Sequence, residues 1–561
     1  MAYYRLFVQS TAWIENVIIQ RNGDLTFRTL TTNPSHDMAI KRKAEVATDD
    51  DVAAAAAFAK RRKCPYLDTV SHQLLDFDFE KVCSISLSDQ NVYACLVCGK
   101  YFQGRGRNTH AFTHSVQSSH HVFINLQTDR IYCLPDNYEV VDHTLKSVQD
   151  ALRPTFTAKE IAQLDENRIL AQDAFGVSYL PGFIGLNNLK RTDYINVVVQ
   201  ALAHVPPLRD FFLANKMEKV KSKLVLRFGE IMRKMWSPHN FKNTVHLVLD
   251  ISPHELVQEI SVSSKKRFHV GTQNESVDLL AWLLNQLHRG LGGSSKPGSS
   301  IIYRCFQGFV EVATDDETKA ASADIAECQS ASSTTVSPFL MMALDLPSTP
   351  LFKDSQGGNV IPQIPLFTVL EKYNGSHVTH VLHGSHRLKK TYRIDSLPAY
   401  LIFHVKRFTR NNFFIEKNPT IVNFPVKNLE LRDYLTLDQK VLSEEELRKM
   451  SIPELRTLLR DRDQSAEDCV EKSDLIEKLL PTTLPSTKYN LIANICHDSP
   501  VTTGREAALK TNPLTEGSYR VHVQNRATEQ WYEIQDLHVQ ETMPQLIGVS
   551  ESYLMIYERK A

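Results

Sequence analysis

The chemically loaded residues of this 561-residue chain fall in three places. The first is Cys95-Leu96-Val97-Cys98, followed by His110, His114, His120 and His121. A CxxC turn lets two thiolates point at one ion, and paired histidines downstream can complete a tetrahedral zinc site. Cys64, Cys83 and Cys133 flank the cluster, and either form part of another site or pack in the core. The second place is Asp193, ahead of a stretch over Tyr194–Leu202 that reads as a buried helix. A carboxylate there can cap free amides and sits favourably against the helix dipole. The third is the C-terminal part, with Cys496-His497, Gly517-Ser518-Tyr519 and the run from Trp531 to Asp536. Cys496 and His497 are strand neighbours and point to opposite faces, so they cannot easily act together as nucleophile and base. Cys496 is read as core.

The elements that must position these residues follow from pattern. A chain of this length implies two or three folded units. Its 42% hydrophobic content is enough for sizeable cores. Lys+Arg 64 cancels Asp+Glu 64, so whole-chain charge does not argue for nucleic acid or membrane, and RNA contact is left to a local basic face. No apolar run approaches bilayer length, and the N-terminus is a poor secretory signal. Nine cysteines concentrated around histidines fit metal ligation in a reducing compartment.

Residues 1–63 read as a tail, in which Lys41-Arg42-Lys43 and Lys60-Arg61-Arg62-Lys63 resemble a bipartite nuclear import signal around an alanine stretch, Ala53–Ala57. A Cys/His-rich unit over 64–145 comes next, then a linker helix over 146–180 with helical character on either side of Pro154. From 181 to 561 helices give way to strands, with a helix over Val277–His288 and strands over Ala399–Val405, Tyr489–Ile495 and Tyr519–Gln524. Asp315–Thr335 reads as an exposed acidic loop. Residues 435–488 form an insert with helices over Ser443–Arg460 and Glu471–Leu480, which resembles the small SAP-like interaction modules.

CLVCGKYFQGRG, then HAFTH and SSHH, resembles the zinc finger of the ubiquitin-specific proteases. That resemblance implies Cys95, Cys98, His114 and His120 as the ligands of one zinc, and His110 as a ligand of an additional site in multi-zinc members. Ser86 and Gln103 stand where that additional site would need cysteines. Fingers that capture the ubiquitin tail use an arginine and aromatic walls; here Lys100 and Tyr93 replace the arginine and a tryptophan. Lysine is a point charge and not a bidentate fork, which weakens the case for ubiquitin as a ligand.

The protease domain of the same family is matched box by box. Gly185-Leu186-Asn187-Asn188-Leu189-Lys190-Arg191-Thr192-Asp193-Tyr194-Ile195-Asn196 resembles its nucleophile box, with Asp193 in the place of cysteine. Gly517-Ser518-Tyr519 resembles Gly-His-Tyr, with Ser518 for the base, and Gln535 stands at the orienting acid, with Asp536 beside it. Asn188 resembles the oxyanion-stabilising asparagine. Gln273-Asn274-Glu275-Ser276, Leu397–Phe408 and Val422-Asn423-Phe424-Pro425 resemble further family boxes, whereas the finger subdomain's CxxC pairs are absent, since Cys305 and Cys328 stand alone. The resemblance implies an α+β chain: a zinc finger of this type, then a papain-like fold of thumb, palm and fingers without the Cys/His/Asp triad.

The upstream finger, RTDY, YCLPDNYE and GSYR together resemble the splicing-associated branch of the family. That implies a nuclear, non-enzymatic partner of spliceosomal tri-snRNP proteins. Two other readings stand beside it: a pseudo-enzyme that still binds ubiquitin, and a weakly active deubiquitinase with an unrecognised nucleophile.

Overall fold

A computed structural model describes residues 64–560, apart from 79, 174–175, 215–219, 240–249, 317–331, 349–360, 384–385, 411–414, 437–443, 462–470, 480–485 and 500–511. The tail 1–63, with its two basic clusters, lies outside the described residues, as does Cys328.

The Cys/His-rich unit is a five-stranded antiparallel sheet and one helix. Its strands run in the order Tyr101–Gln103, Val92–Cys95, Val122–Asn125, Ile131–Cys133 and Tyr138–Val140. Tyr93, Cys95, Phe102, Ala111, Phe123, Tyr132 and Leu134 form its small core. The helix His110–Ser118 stops where Ser119 turns left-handed, at φ 55°. That turn carries the chain back, so that His120 lies beside His114 with ring centroids 5.0 Å apart. A core this small is the kind that a bound metal supplements.

The expected linker helix is two short helices, Lys146–Leu152 and Ala158–Gln163, separated at Pro154. The second opens on a capping box between Thr157 and Glu160, and a hairpin of Ala171–Gln172 with Ser178–Tyr179 follows.

Beyond it, a helical thumb packs on a stranded palm. Helix Lys223–Trp236 buries Leu224, Val225, Phe228, Ile231, Met232 and Met235, an apolar stripe at helical spacing. Helices Asp193–Ala203 and Ser276–Gly290 share that core. The palm sheet runs Met342–Asp345, Tyr400–Lys406, Ser552–Arg559, Lys488–Asp498, Ser518–Gln524, Trp531–Gln535 and His538–Thr542. Lys488–Asp498 sits between two antiparallel neighbours and is covered on both faces, so that every residue from Leu491 to His497 is buried.

A four-stranded antiparallel sheet, ordered Ser332–Phe339, Gly308–Asp316, His386–Ser396 and Thr379–His383, makes the fingers. The exposed loop expected over Asp315–Thr335 is narrower, because Asp315 pairs with Ser332 and the strands continue to that point. Cys305 is buried on the helix Ile301–Phe306 within the thumb core. Among its described residues the insert holds three helices, not two: Glu444–Lys449, Ile452–Asp461 and Lys472–Leu479. Ser451 breaks the first stretch, its amide and hydroxyl both donating to Glu454 at 2.8 Å. Leu447, Leu455, Leu459, Leu475, Ile476 and Leu479 close a separate core.

Candidate functional site

The CxxC turn between strands Val92–Cys95 and Tyr101–Gln103 places Cys95 and Cys98 against the helix bearing His114. Cys95 Sγ lies 3.5 Å from His120 Nδ1, Cys98 Sγ lies 3.5 Å from His114 Nε2, and the two ring nitrogens are 3.1 Å apart. A tetrahedral ion with ordinary zinc bond lengths sets such edges at about 3.5 Å for S···N and about 3.3 Å for N···N. All four donors lie within 4.8 Å of one another, so the set fits the ion. The Cys98 thiol is pulled down to about 4 by its hydrogen bond with Cys95, whose own thiol is driven up by the same bond. Both sulfurs become thiolates together only with a cation between them. His114 is oriented from behind by Ser118 Oγ at 3.3 Å from Nδ1, and it stacks on Phe102 at 4.2 Å.

Among the described residues, no second cluster of three donors forms around Cys64, Cys83, His110 or Cys133. Cys83 sits in a tight turn whose Ile85 and Ser86 amides point at its sulfur, at 3.5 and 3.4 Å. Ser86 Oγ donates instead to Gln103 Oε1 at 2.9 Å, closing with hydrogen bonds what two further thiolates would close with metal. Burial pushes the Cys133 thiol up to about 12, with Tyr138 and Cys64 beside it. The aromatic walls are likewise occupied. Tyr93 meets Tyr132 edge-on at 6.1 Å, and the Arg105 guanidinium lies 4.1 Å over the Tyr132 ring while donating to Asn137 Oδ1 at 2.8 Å.

At the thumb–palm cleft, Asp193 is the first residue of its helix and is almost fully buried. Its carboxylate meets the backbone amide of Tyr194 in the first turn, as expected, and also reaches across the cleft, where Oδ2 accepts from the Tyr519 amide at 2.8 Å and from Gln273 Nε2 at 3.0 Å. The turn is closed by Asn188, whose Oδ1 accepts from the Thr192 amide at 2.9 Å. Burial raises the Asp193 pKa, against the opposing hydrogen bonds from Tyr519 and Gln273.

Ser518 and Gln535 are brought together, with Gln535 Nε2 donating to Ser518 Oγ at 3.3 Å. Asn188 is committed elsewhere: its amide donates to Asp536 Oδ2 at 2.9 Å, and Asn196 donates to the other oxygen at 2.8 Å. Asp536 is thus a hub that its position next to Gln535 hinted at and that the pattern alone did not assign. Gly185 must be glycine for this, since a Cβ there would lie 2.7 Å from Leu537 Cα and 2.8 Å from the Asp536 carbonyl. His497 packs under Gly517, edge-on to Phe408 at 5.0 Å and to Tyr519 at 4.8 Å, and burial lowers its pKa to about 3. Cys496 is buried on the opposite face, as expected, though among polar neighbours.

Comparison with known proteins places these features. Residues 184–557 match the ubiquitin carboxyl-terminal hydrolase family, and residues 83–145 match the zinc finger in ubiquitin hydrolases and other proteins. The chain is 43% identical to human "Ubiquitin carboxyl-terminal hydrolase 39", with 89% of this chain and 80% of that protein covered. It is 38% identical to "Probable mRNA-splicing protein ubp10" of Schizosaccharomyces pombe, with 88% of each covered. "Pre-mRNA-splicing factor SAD1" of Saccharomyces cerevisiae is 29% identical, over 88% of this chain and 93% of that one. A solved structure described as an essential yeast splicing factor superposes with a TM-score of 0.65 at 26% identity, covering 89% of this chain and 100% of that one. The Asp193 helix, the palm strands and the Cys/His finger are therefore parts of a known architecture, and the chain belongs to the ubiquitin carboxyl-terminal hydrolase family.

Proposed function

We propose that this chain is a non-enzymatic pre-mRNA splicing factor of the nucleus, which supports the spliceosomal tri-snRNP by docking its proteins on a protease-like scaffold. Similarity to relatives named for splicing supports the process. The observation that carries the non-enzymatic part is the Asp193 carboxylate, engaged by Tyr519 and Gln273 where the family resemblance expects a thiol.

Isopeptide cleavage needs a nucleophile, a base and an orienting group. An aspartate would form an anhydride on attack and is a weak nucleophile beside a thiolate. Ser518 has no lone pair that takes a proton at neutral pH, and Gln535 carries no charge to stabilise an imidazolium. Asn188, bonded to Asp536 and Thr192, serves the turn and not an oxyanion. In the finger, Cys95, Cys98, His114 and His120 would hold zinc, which supplies folding free energy there. Arg105 lying over Tyr132 speaks against capture of a ubiquitin tail by the finger.

The test is a pull-down of the full chain from nuclear extract, read for both snRNP proteins and ubiquitin, beside a ubiquitin activity probe. Recovery of tri-snRNP proteins without probe labelling is expected. A probe adduct on a cysteine would overturn the non-enzymatic part, and absence of snRNP proteins would overturn the docking part.

A further inference from the structure

Two surface segments at the rim of the thumb–palm cleft gather exposed cations. One is Lys190-Arg191, and the other is the turn Ser264–Thr272 that follows helix His254–Ser263. They lie side by side, because Gly271 donates its amide to the Lys190 carbonyl at 2.9 Å. The turn is folded back on itself through His269, whose Nδ1 lies 2.9 Å from the Lys266 carbonyl and whose Nε2 lies 2.9 Å from Thr272 Oγ1. Lys190, Arg191, Lys265, Lys266 and Arg267 are all exposed on this rim.

The acids nearest in sequence are already engaged. Asp278 pairs with Arg267 at 2.6 Å, Glu275 pairs with Arg410 at 2.7 Å, and Glu259 accepts from Ser263 Oγ at 2.7 Å. Lys190, Lys265 and Lys266 pair with no acid among the described residues. Lys190, Arg191, Lys265 and Lys266 also hold left-handed backbone, at φ 80°, 57°, 54° and 64°. Crowded like charges on backbone that favours glycine weaken a fold, so this rim is shaped for a ligand that brings negative charge.

The side chains choose the anion. Arg191 Nη1 donates to the Thr515 carbonyl at 3.3 Å and Arg267 is held by Asp278, so the planar forks that suit carboxylates are committed. The free cations are lysines, compact point charges that serve a phosphodiester. The rings beside them, Tyr194 and Phe268, are fully buried and offer bases nothing to stack on. We propose that this rim binds the sugar–phosphate backbone of RNA without reading its bases. The choice of RNA over DNA rests on the splicing reading above, whereas the choice of a phosphodiester rests on the lysines alone. Three lysines on three phosphates of a single strand give a log–log salt slope of about −2.

The test is fluorescence anisotropy of the full, zinc-loaded chain with a labelled oligouridine of about 20 nucleotides, between about 50 and 200 mM salt. Lys190→Gln, Lys265→Gln and Lys266→Gln together are expected to weaken binding at least about ten-fold at the lower salt and to flatten the slope by about 2. Lys190→Arg, Lys265→Arg and Lys266→Arg together keep the charge and should bind like the parent. Lys159→Gln, at an exposed lysine of the helix Ala158–Gln163, should change nothing. Matched melting temperatures check that the glutamine variant is folded, and the single changes replace it where it is not. The tail's basic clusters also attract RNA, so the difference between variants is what counts. Equal affinity of parent and glutamine variant, or no binding, overturns the proposal. Polyglutamate bound more tightly than oligouridine, and lost in the glutamine variant, assigns the rim to an acidic protein and overturns it too. Tighter binding of oligothymidine than of oligouridine overturns the choice of RNA. No snRNP protein is present, so failure here leaves the tri-snRNP reading standing, and failure of the pull-down leaves the phosphodiester site standing.

Discussion

Lys190 and Arg191 hold left-handed backbone, at φ 80° and 57°, one residue short of Asp193. Both carry side chains in a backbone region that favours glycine. Left-handed backbone costs a side-chain-bearing residue of order 1–3 kcal/mol, and tertiary bonds must hold it. Gly271 donates its amide to the Lys190 carbonyl at 2.9 Å, and Arg191 Nη1 donates to the Thr515 carbonyl at 3.3 Å. Lys190→Gly should therefore stabilise the chain by about 1 kcal/mol in chemical denaturation.

Asp193 gives a sharper test at the same scale. Asp193→Ala strips the acceptor from a buried amide and should cost about 1–3 kcal/mol. Asp193→Asn retains an acceptor and removes a charge that burial disfavours. Because the Asp193 pKa is raised, its favourable contribution is present below about pH 3.8 and is lost as pH rises through the folded value. The asparagine variant should thus match or exceed the parent in melting temperature at pH 7. Asp193→Cys should yield no ubiquitin cleavage in a fluorogenic assay, since Ser518 and Gln535 supply no base; robust turnover would refute the reading of the cleft.

Element by element, legibility in the sequence followed how local the cause was. The helix at Asp193, the helix over Ser276–Gly290 and the palm strands were readable because period and turn chemistry are local. The insert's break at Ser451 was missed: helix propensity continues through it, and the Ser451–Glu454 bonds decide. The approach of Cys496 Sγ to His522 Nδ1, 3.8 Å apart on neighbouring strands, was invisible, because strand partners are set by the whole sheet. The same holds for Asp193, whose partner Tyr519 is 326 residues away. The insert's core is made of its own leucines and Ile476, so removing 437–485 and bridging with a short flexible linker should leave the palm folded. Near-unchanged melting of the deleted chain would agree, and loss of the cooperative transition would not. The finger should behave oppositely. Cys95→Ala, or strong chelation, should unfold it, seen as loss of bound zinc together with a lower melting temperature.

Over the whole molecule, burial of imidazoles sets an acid limit. His204 and His404 are lowered to about 4 and His497 to about 3, each chiefly by burial. The unfolded chain takes up those protons from about pH 6.5 downward while the folded chain refuses them. Stability should fall steadily as pH drops from about 6.5 toward 4, and Tm measured across that range checks it. His522 works the other way: its raised value adds stability below about 6.5, lost as pH rises through about 9. The finger is joined to the thumb by Asp78, which meets Lys234 Nζ at 2.7 Å and accepts from the Ser252 amide at 3.0 Å; Lys234 also donates to the Phe77 carbonyl. These contacts are largely shielded from water and resist sliding. The consequence is metric. On the docking reading proposed above, finger and thumb act as the jaws of a caliper, and partners that touch both would do so at the separation these contacts set. Assemblies of the wrong spacing gain nothing from the second contact.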